Sequence, residues 1–181
     1  EAAGPAGDLL FRWGHPARWG GAGPQELYGQ HDPTWLAEDR LLVFDNGLGR
    51  PDGGYSRLVE VEIPTLDGRL RLPAAGDEPI EPAWTWTAPE PTDFFSPFVS
   101  GAQRLPGGGT LVTQGPEGRV FEIDADDEPV WDYVNPVTED GVSGVLDPGQ
   151  NALFKARRYA ADGPELAGLA LQSGAPLVAR P

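Results

Sequence analysis

Residues 110–123 have the sequence TLVTQGPEGRVFEI, and this stretch decides the fold class. The apolar run Leu111-Val112 is followed by a Gly-rich turn and then by Val120-Phe121-Glu122-Ile123. Apolar runs of this length with polar interruptions are typical of β-strands that turn one face inward, and Gly and Pro separate such strands. We therefore predict two antiparallel strands joined by a tight turn at residues 115–118.

The same order of features occurs upstream. An apolar strand at 40–47 ends in a Gly-rich turn, and a similar V-x-E-V strand follows at 58–61. An aromatic strand closes each unit, at 84–86 and at 131–133, and residues 10–13 resemble these two. Four short strands in a repeat of about 40–50 residues describe a blade of a β-propeller. We predict an all-β chain that is part of a β-propeller, with an ordinary β-sandwich as the alternative.

The predicted blades do not close a ring. Blade-like units are expected at about 30–86 and 100–133, with partial blades at both ends of a partial propeller over 1–161 and a C-terminal tail over 162–181. A propeller needs roughly 4–8 blades, and an open stack leaves strand edges exposed. We therefore expect a missing N-terminal portion or another chain to complete the ring.

Composition excludes several classes of function. The formal charge is −15, from 28 acidic and 13 basic residues, so nucleic acid is a disfavoured partner. Cys is absent, which excludes thiolate catalysis and cysteine zinc sites. The sequence has no apolar stretch long enough to span a membrane and no phosphate-binding glycine motif. We predict no cofactor, no metal and no membrane span.

Eight short motifs follow one another along the chain. They are LFRWGHP at 10–16, GQHD at 29–32, LVFDNG at 42–47, GRP at 49–51, FSPFVSGAQRLP at 95–106, GRVFE at 118–122, VWDYVNP at 130–136 and FKARRY at 154–159. In this order they resemble the C-terminal half of the bacterial arylsulfotransferase family. The resemblance covers nearly the whole chain.

The resemblance implies a six-bladed propeller, of which this chain would supply about three blades, exported to the periplasm or cell surface. It also implies transfer of a sulfuryl group from an aryl sulfate to a phenol through a transiently sulfated histidine, without a nucleotide sulfate donor. The alternative function is a non-catalytic propeller that binds a partner or serves as a scaffold at the cell surface or in the periplasm.

The chain has two histidines, His15 and His31. The resemblance assigns the nucleophile to His31, which precedes a predicted strand, and His15 is equally compatible with a turn. Pro33-Thr34 stands where related sequences often have a second histidine. A structural His31, bonded to Asp32 or to the backbone, is the alternative. Residues expected to bind the anionic substrate are Asn46, Arg50, Gln103, Arg104 and Arg158.

Overall fold

The computed structural model describes residues 11–71, 79–143, 146 and 149–174. In these residues the only helices are three-residue 3-10 turns, and the regular structure is otherwise β-strand. The all-β class predicted from the sequence is confirmed. The 25 Gly and 20 Pro residues account for it physically, because both residue types interrupt helices. No helix of the described residues is long and apolar enough to cross a bilayer.

The chain divides into two compact units, Glu1–Phe98 and Val99–Pro181. The first unit contains a four-stranded antiparallel sheet in the order β1-β2-β3-β6, and a two-stranded ribbon, β4-β5, is inserted before the last strand. The strands are β1 (His31–Ala37), β2 (Arg40–Asp45), β3 (Arg57–Glu62), β4 (Thr65–Leu66), β5 (Arg69–Leu70) and β6 (Trp84–Trp86).

The second unit contains another four-stranded antiparallel sheet, in the order β10-β9-β8-β7, and a short ribbon, β11-β12. Its strands are β7 (Gly101–Arg104), β8 (Thr110–Gln114), β9 (Arg119–Ile123), β10 (Pro129–Val134), β11 (Val137–Thr138) and β12 (Gly141–Val142). The 3-10 turns lie at Pro16–Arg18, Pro91–Asp93 and Pro164–Leu166, and each begins with a proline, whose fixed φ suits the first helical position.

The two sheets have matching registers. Glu60 on β3 lies opposite Trp84 on β6, and Glu122 on β9 lies opposite Trp131 on β10. Because side chains alternate along a strand, register decides which face each residue occupies. The aromatic residues of both closing strands therefore occupy equivalent faces of their sheets.

Segments of the first unit cover both faces of its sheet. On one face, Phe94 lies edge-on to Phe44 and to Trp86, with ring centroids 5.6 and 5.3 Å apart. Phe94 reaches this position because the chain turns back after β6 through the 3-10 turn at Pro91–Asp93. On the other face, Leu27 packs against Val43 and Val59.

In the second unit, residues 151–158 form a strap along one face of the sheet. Leu153 N–H donates to Gly115 O at 2.9 Å, and Ala156 N–H donates to Thr113 Oγ1 at 2.9 Å. The partial blade expected at the C-terminal end of the propeller falls near 152–156, and these residues form no strand. Their hydrogen bonds go to a turn and a side chain, so no ladder forms. The partial blade expected at the N-terminal end begins at Leu10, which lies outside the described residues. Phe11 to Trp13, which are described, form no strand.

We predict that Phe94→Ala destabilises the first unit by about 3–5 kcal/mol, the usual cost of truncating a buried Phe. Phe94 is 1% exposed. Urea unfolding followed by tryptophan fluorescence measures the loss, with Phe154→Ala, at an exposed position, as the matched control. Equal stability of the two variants would show that Phe94 does not anchor this face.

Candidate functional site

His31 is the first residue of β1, and an irregular backbone holds it there. Asp32 has a left-handed conformation, with φ of 51°, and the ladder between β1 and β2 is shifted between His31 and Thr34. Asp is among the few non-glycine residues that tolerate this conformation, and a bulge redirects neighbouring side chains. Asp32 therefore positions His31 through the backbone at the end of the strand.

Asn46 is fully buried and contacts the His31 ring. Its Nδ2 donates to Ser96 O at 2.7 Å, which leaves Oδ1 as an acceptor, and His31 Nδ1 lies 2.7 Å from Oδ1. A second acceptor, Gly29 O, lies 3.2 Å from the same nitrogen. Because both neighbouring atoms can only accept, Nδ1 must donate the proton.

This arrangement selects one tautomer of neutral His31. With Nδ1 protonated, the lone pair is on Nε2. Within the described residues, no hydrogen bond or ion pair reaches Nε2. The ring is half-buried. A nucleophile, a general base or a metal ligand all require a free imidazole lone pair of this kind.

Ser56 and Ser96 connect the backbone and side chain of Asn46 to the rest of the first unit. Ser56 Oγ donates to Asn46 O at 2.9 Å and accepts from Ser96 N–H at 2.8 Å. The backbone N–H of Ser56 donates to Phe94 O at 2.7 Å. All three polar side chains are fully buried. The network therefore joins the ends of β2 and β3 to the segment that carries Phe94.

Next to Asn46, the buried carboxylate of Asp45 holds two arginines. Arg50 and Arg57 both bond Asp45 Oδ2, and Tyr28 N–H donates to Oδ1 at 2.7 Å. Glu26 also pairs with Arg57, at 3.1 Å. Two arginines and two carboxylates leave this cluster without net charge.

The pKa of Arg57 is raised above its ordinary value. Burial is the largest influence and acts to lower this pKa. The hydrogen bonds and the charges of Asp45 and Glu26 together outweigh it. Arg57 is therefore firmly bound as a cation within the cluster.

Arg50, predicted to bind a sulfate, lies inside the protein. Its side chain is 6% exposed and lies between the rings of Tyr28 and Tyr55, with centroids 4.9 and 4.6 Å from Cζ. Its Nε is buried and has no hydrogen-bond partner. In this structure Asp45 occupies the end of the guanidinium that a ligand would otherwise approach.

The other predicted substrate-binding residues belong to the second unit. The Gln103 amide binds the backbone of Arg158 at both of its ends, at 2.9 and 2.7 Å. The Arg158 guanidinium is exposed and pairs with Glu122. Arg104 donates to Thr110 Oγ1 at 2.7 Å. The structure thus brings Gln103 and Arg158 together, with Arg104 one residue away on β7.

His15 has the features of a turn residue. It precedes the 3-10 turn at Pro16–Arg18, and its carbonyl accepts a hydrogen bond from Arg18 N–H at 3.0 Å. No hydrogen bond or ion pair of the His15 ring is seen in the described part of the chain.

Two parts of the site region were not predicted from the sequence. Ser96 lies 50 residues from Asn46, and no local pattern signals their contact. The second is a groove of about 750 Å³ in the second unit, between β8–β10 and the strap. Its lining is mostly apolar, with charged groups beside it: Leu111, Val120, Glu122, Val130, Trp131, Tyr133, Asn135, Leu153, Ala156, Arg157 and Arg158.

Comparison with known proteins assigns no family. No protein-family model matches the chain, and no curated protein matches it significantly.

We predict that neutral His31 is protonated at Nδ1, because Asn46 Oδ1 and Gly29 O both accept from that nitrogen. Long-range ¹H–¹⁵N correlation spectra distinguish the two tautomers, and His15 is the only other histidine to assign. In Asn46→Ala the preference for Nδ1–H should weaken. A neutral His31 carrying its proton on Nε2 in the unmodified chain would contradict the assignment.

Proposed function

We propose that the two four-stranded sheets are blades of a β-propeller and that a further polypeptide portion, in the same chain or another, completes the ring. The equivalent strand orders and the matched Glu-to-Trp registers of the two sheets support this proposal. From the resemblance of the motifs to the arylsulfotransferase family, we further propose that the ring has six blades and that the protein is located in the periplasm or outside the cell.

We further propose that the protein is an arylsulfotransferase-like enzyme with His31 as the nucleophile. The observation that carries the proposal is the hydrogen bond between His31 Nδ1 and Asn46 Oδ1, because it leaves the lone pair on Nε2. A neutral imidazole with a fixed ring and a free lone pair is suited to attack sulfur. The GQHD and LVFDNG motifs, which supply His31 and Asn46, are two of those that resemble the family.

The proposed reaction has two displacements at sulfur. His31 Nε2 forms an N–S bond to the sulfuryl group as the S–O bond to the aryl ring breaks and a phenolate leaves. The oxygen of the acceptor phenol then attacks sulfur, the N–S bond breaks, and the proton of the acceptor hydroxyl is released to solvent or to the departing phenolate. No oxidant or further reactant is consumed.

In this proposal Asn46 is a positioning residue. Because it is fully buried, it acts through the His31 ring rather than on the sulfate. When the ring becomes positively charged in the N-sulfuryl state, Nδ1–H remains bonded to Asn46 Oδ1, which stabilises that charge. Sulfate binding by Gln103, Arg104 and Arg158 stays a prediction, and for Gln103 it requires release of the Arg158 backbone. Sulfate binding by Arg50 likewise requires that Arg50 leave Asp45.

Incubation with 4-nitrophenyl sulfate tests the enzyme proposal. We expect release of 4-nitrophenolate and a sulfuryl adduct that peptide mapping locates at His31. His31→Asn should abolish both, and His15→Asn, which removes the other histidine, should retain both. An adduct absent from the unmodified protein, or unchanged in His31→Asn, would contradict the proposed nucleophile.

A second candidate function is binding without catalysis, and the groove of the second unit favours it. Trp131 and Tyr133 stand nearly parallel, 6.0 Å apart, beside Leu111 and Val120, and they are 47% and 39% exposed. Mostly apolar concave surfaces with a few polar groups are the usual form of ligand sites. We propose that this groove binds an apolar or aromatic group of a partner.

A hydrophobic fluorescent dye tests the binding proposal. 8-Anilinonaphthalene-1-sulfonate should bind the folded protein, and Trp131→Ala should weaken this binding about tenfold, the effect of losing roughly 1.4 kcal/mol of contact. Trp35→Ala is the matched control, since Trp35 is similarly exposed but lies in the other unit. Equal loss in both variants would show that the dye does not report on the groove.

A further inference from the structure

The two four-stranded sheets present four edge strands, and three of them are protected. On β1, two register shifts and Pro33 disrupt any outward ladder. Strand β6 is only three residues long. At β7 the strap binds the backbone itself, because Arg157 donates to Ala102 O at 3.2 Å and Ser100 N–H donates to Phe154 O at 3.1 Å. Bulges, proline, short length and cover are the usual means by which proteins prevent edge-to-edge pairing.

The fourth edge strand, β10, lacks most of this protection. All six of its residues are exposed, and β9 is its only sheet neighbour among the described residues. Four of the six side chains are large and apolar: Val130, Trp131, Tyr133 and Val134. A bulge between Pro129 and Trp131 protects only the start of the strand.

Hydrogen bonding shows which backbone groups of β10 are directed outward. Asn135 N–H donates to Gly118 O at 2.9 Å, so this is a hydrogen-bonded pair of the antiparallel ladder. Such pairs alternate along a ladder, which places Tyr133 and Trp131 in hydrogen-bonded pairs with β9. The N–H and C=O groups of Asp132 and Val134 are therefore directed away from β9, where another strand could bind them.

We propose that β10 pairs with β10 of a second copy of this chain, antiparallel and about a twofold axis at Asp132. This register makes Asp132 face its own copy in a hydrogen-bonded pair. Trp131 then lies opposite Tyr133 of the second copy, and Val130, the residue at the bulge, comes next to Val134 at the end of the paired segment. Cross-strand aromatic and β-branched pairs are among the stabilising pairs of antiparallel sheets. Two four-stranded sheets become one eight-stranded sheet.

Charge at the proposed axis is compatible with this pairing. Asp132 would face an identical carboxylate, but each is already bound by its own Arg119, whose Nε lies 2.8 Å from Oδ2. The axis is thus locally neutral. The formal charge of −15 on each copy opposes association at longer range, so added salt should strengthen the dimer by screening this repulsion.

Cysteine cross-linking tests the register, because the chain has no cysteine of its own. In a hydrogen-bonded antiparallel pair the Cα atoms are about 5.5 Å apart, within the range that disulfides span. Under mild oxidation with diamide, Asp132→Cys should form a covalent dimer. Val130→Cys alone should not form one. Position 130 of the second copy would lie roughly 13 Å from position 130 of the first, a separation of four residues along the strand.

Mixing Val130→Cys with Val134→Cys should restore cross-linking, because these positions come next to each other in the proposed register. Equal cross-linking of Asp132→Cys and Val130→Cys alone would contradict the register. The absence of any cross-linked dimer with Asp132→Cys, at protein concentrations up to the millimolar range, would overturn the proposal.

Sedimentation tests the outward hydrogen bonds without introducing a thiol. Val134→Pro removes an outward N–H and should weaken dimerisation at least tenfold. Val134→Thr keeps the donor and the β-branch, and should leave dimerisation within a few-fold of the unmodified chain. Circular dichroism confirms that both variants fold. A monomer in the unmodified chain at all concentrations, or equal dimerisation of the two variants, would overturn the proposal.

Discussion

The buried amide of Asn46 is the contact on which the architecture of the first unit and its candidate site both depend. One end of the amide binds Ser96 O and the other accepts from His31 Nδ1, so a single side chain joins β1 to the segment that covers the sheet. Each buried polar group left without a hydrogen-bond partner costs about 1–3 kcal/mol. Breaking only some of the hydrogen bonds of this network is therefore unfavourable. The orientation of the His31 ring is therefore coupled to the packing of the segment that carries Phe94 against the sheet. Local stability and the proposed chemistry depend on the same hydrogen bonds.

The two sheets show what such a covering segment changes. Their registers are equivalent, yet the first closing strand has Trp86 buried against Phe94, whereas Tyr133 of the second stays exposed. The strap at 151–158 bonds to Gly115 and Thr113, closer to β7 and β8 than to β10. A groove therefore remains between the strap and β10. Trp131 and Tyr133 are therefore exposed on the second unit, whereas Trp86 of the first unit is buried.

Local patterns predicted the strands well, because each depends on neighbouring residues. The strands predicted at 40–47 and 58–61 coincide with β2 and β3. The partial blade expected near 152–156 contains no strand, since a strand needs a ladder partner that sequence pattern cannot supply. The candidate site was predicted only as individual residues. That Asn46 is directed at His31 depends on contacts 15 and 50 residues apart in sequence. Arg50 is bound by Asp45, although a cation in a Gly-rich loop is equally consistent with an open anion site.

Hydrogen exchange tests whether Asn46 couples β1, which begins at His31, to the segment that carries Phe94. The backbone N–H of Ser56 donates to Phe94 O, and that of Ser96 donates to Ser56 Oγ, so both amides report on closure of this segment. We expect Asn46→Ala to accelerate exchange at both amides in the folded protein, while amides of β8 and β9 keep their protection. Unchanged exchange at Ser56 and Ser96 in Asn46→Ala would contradict this coupling.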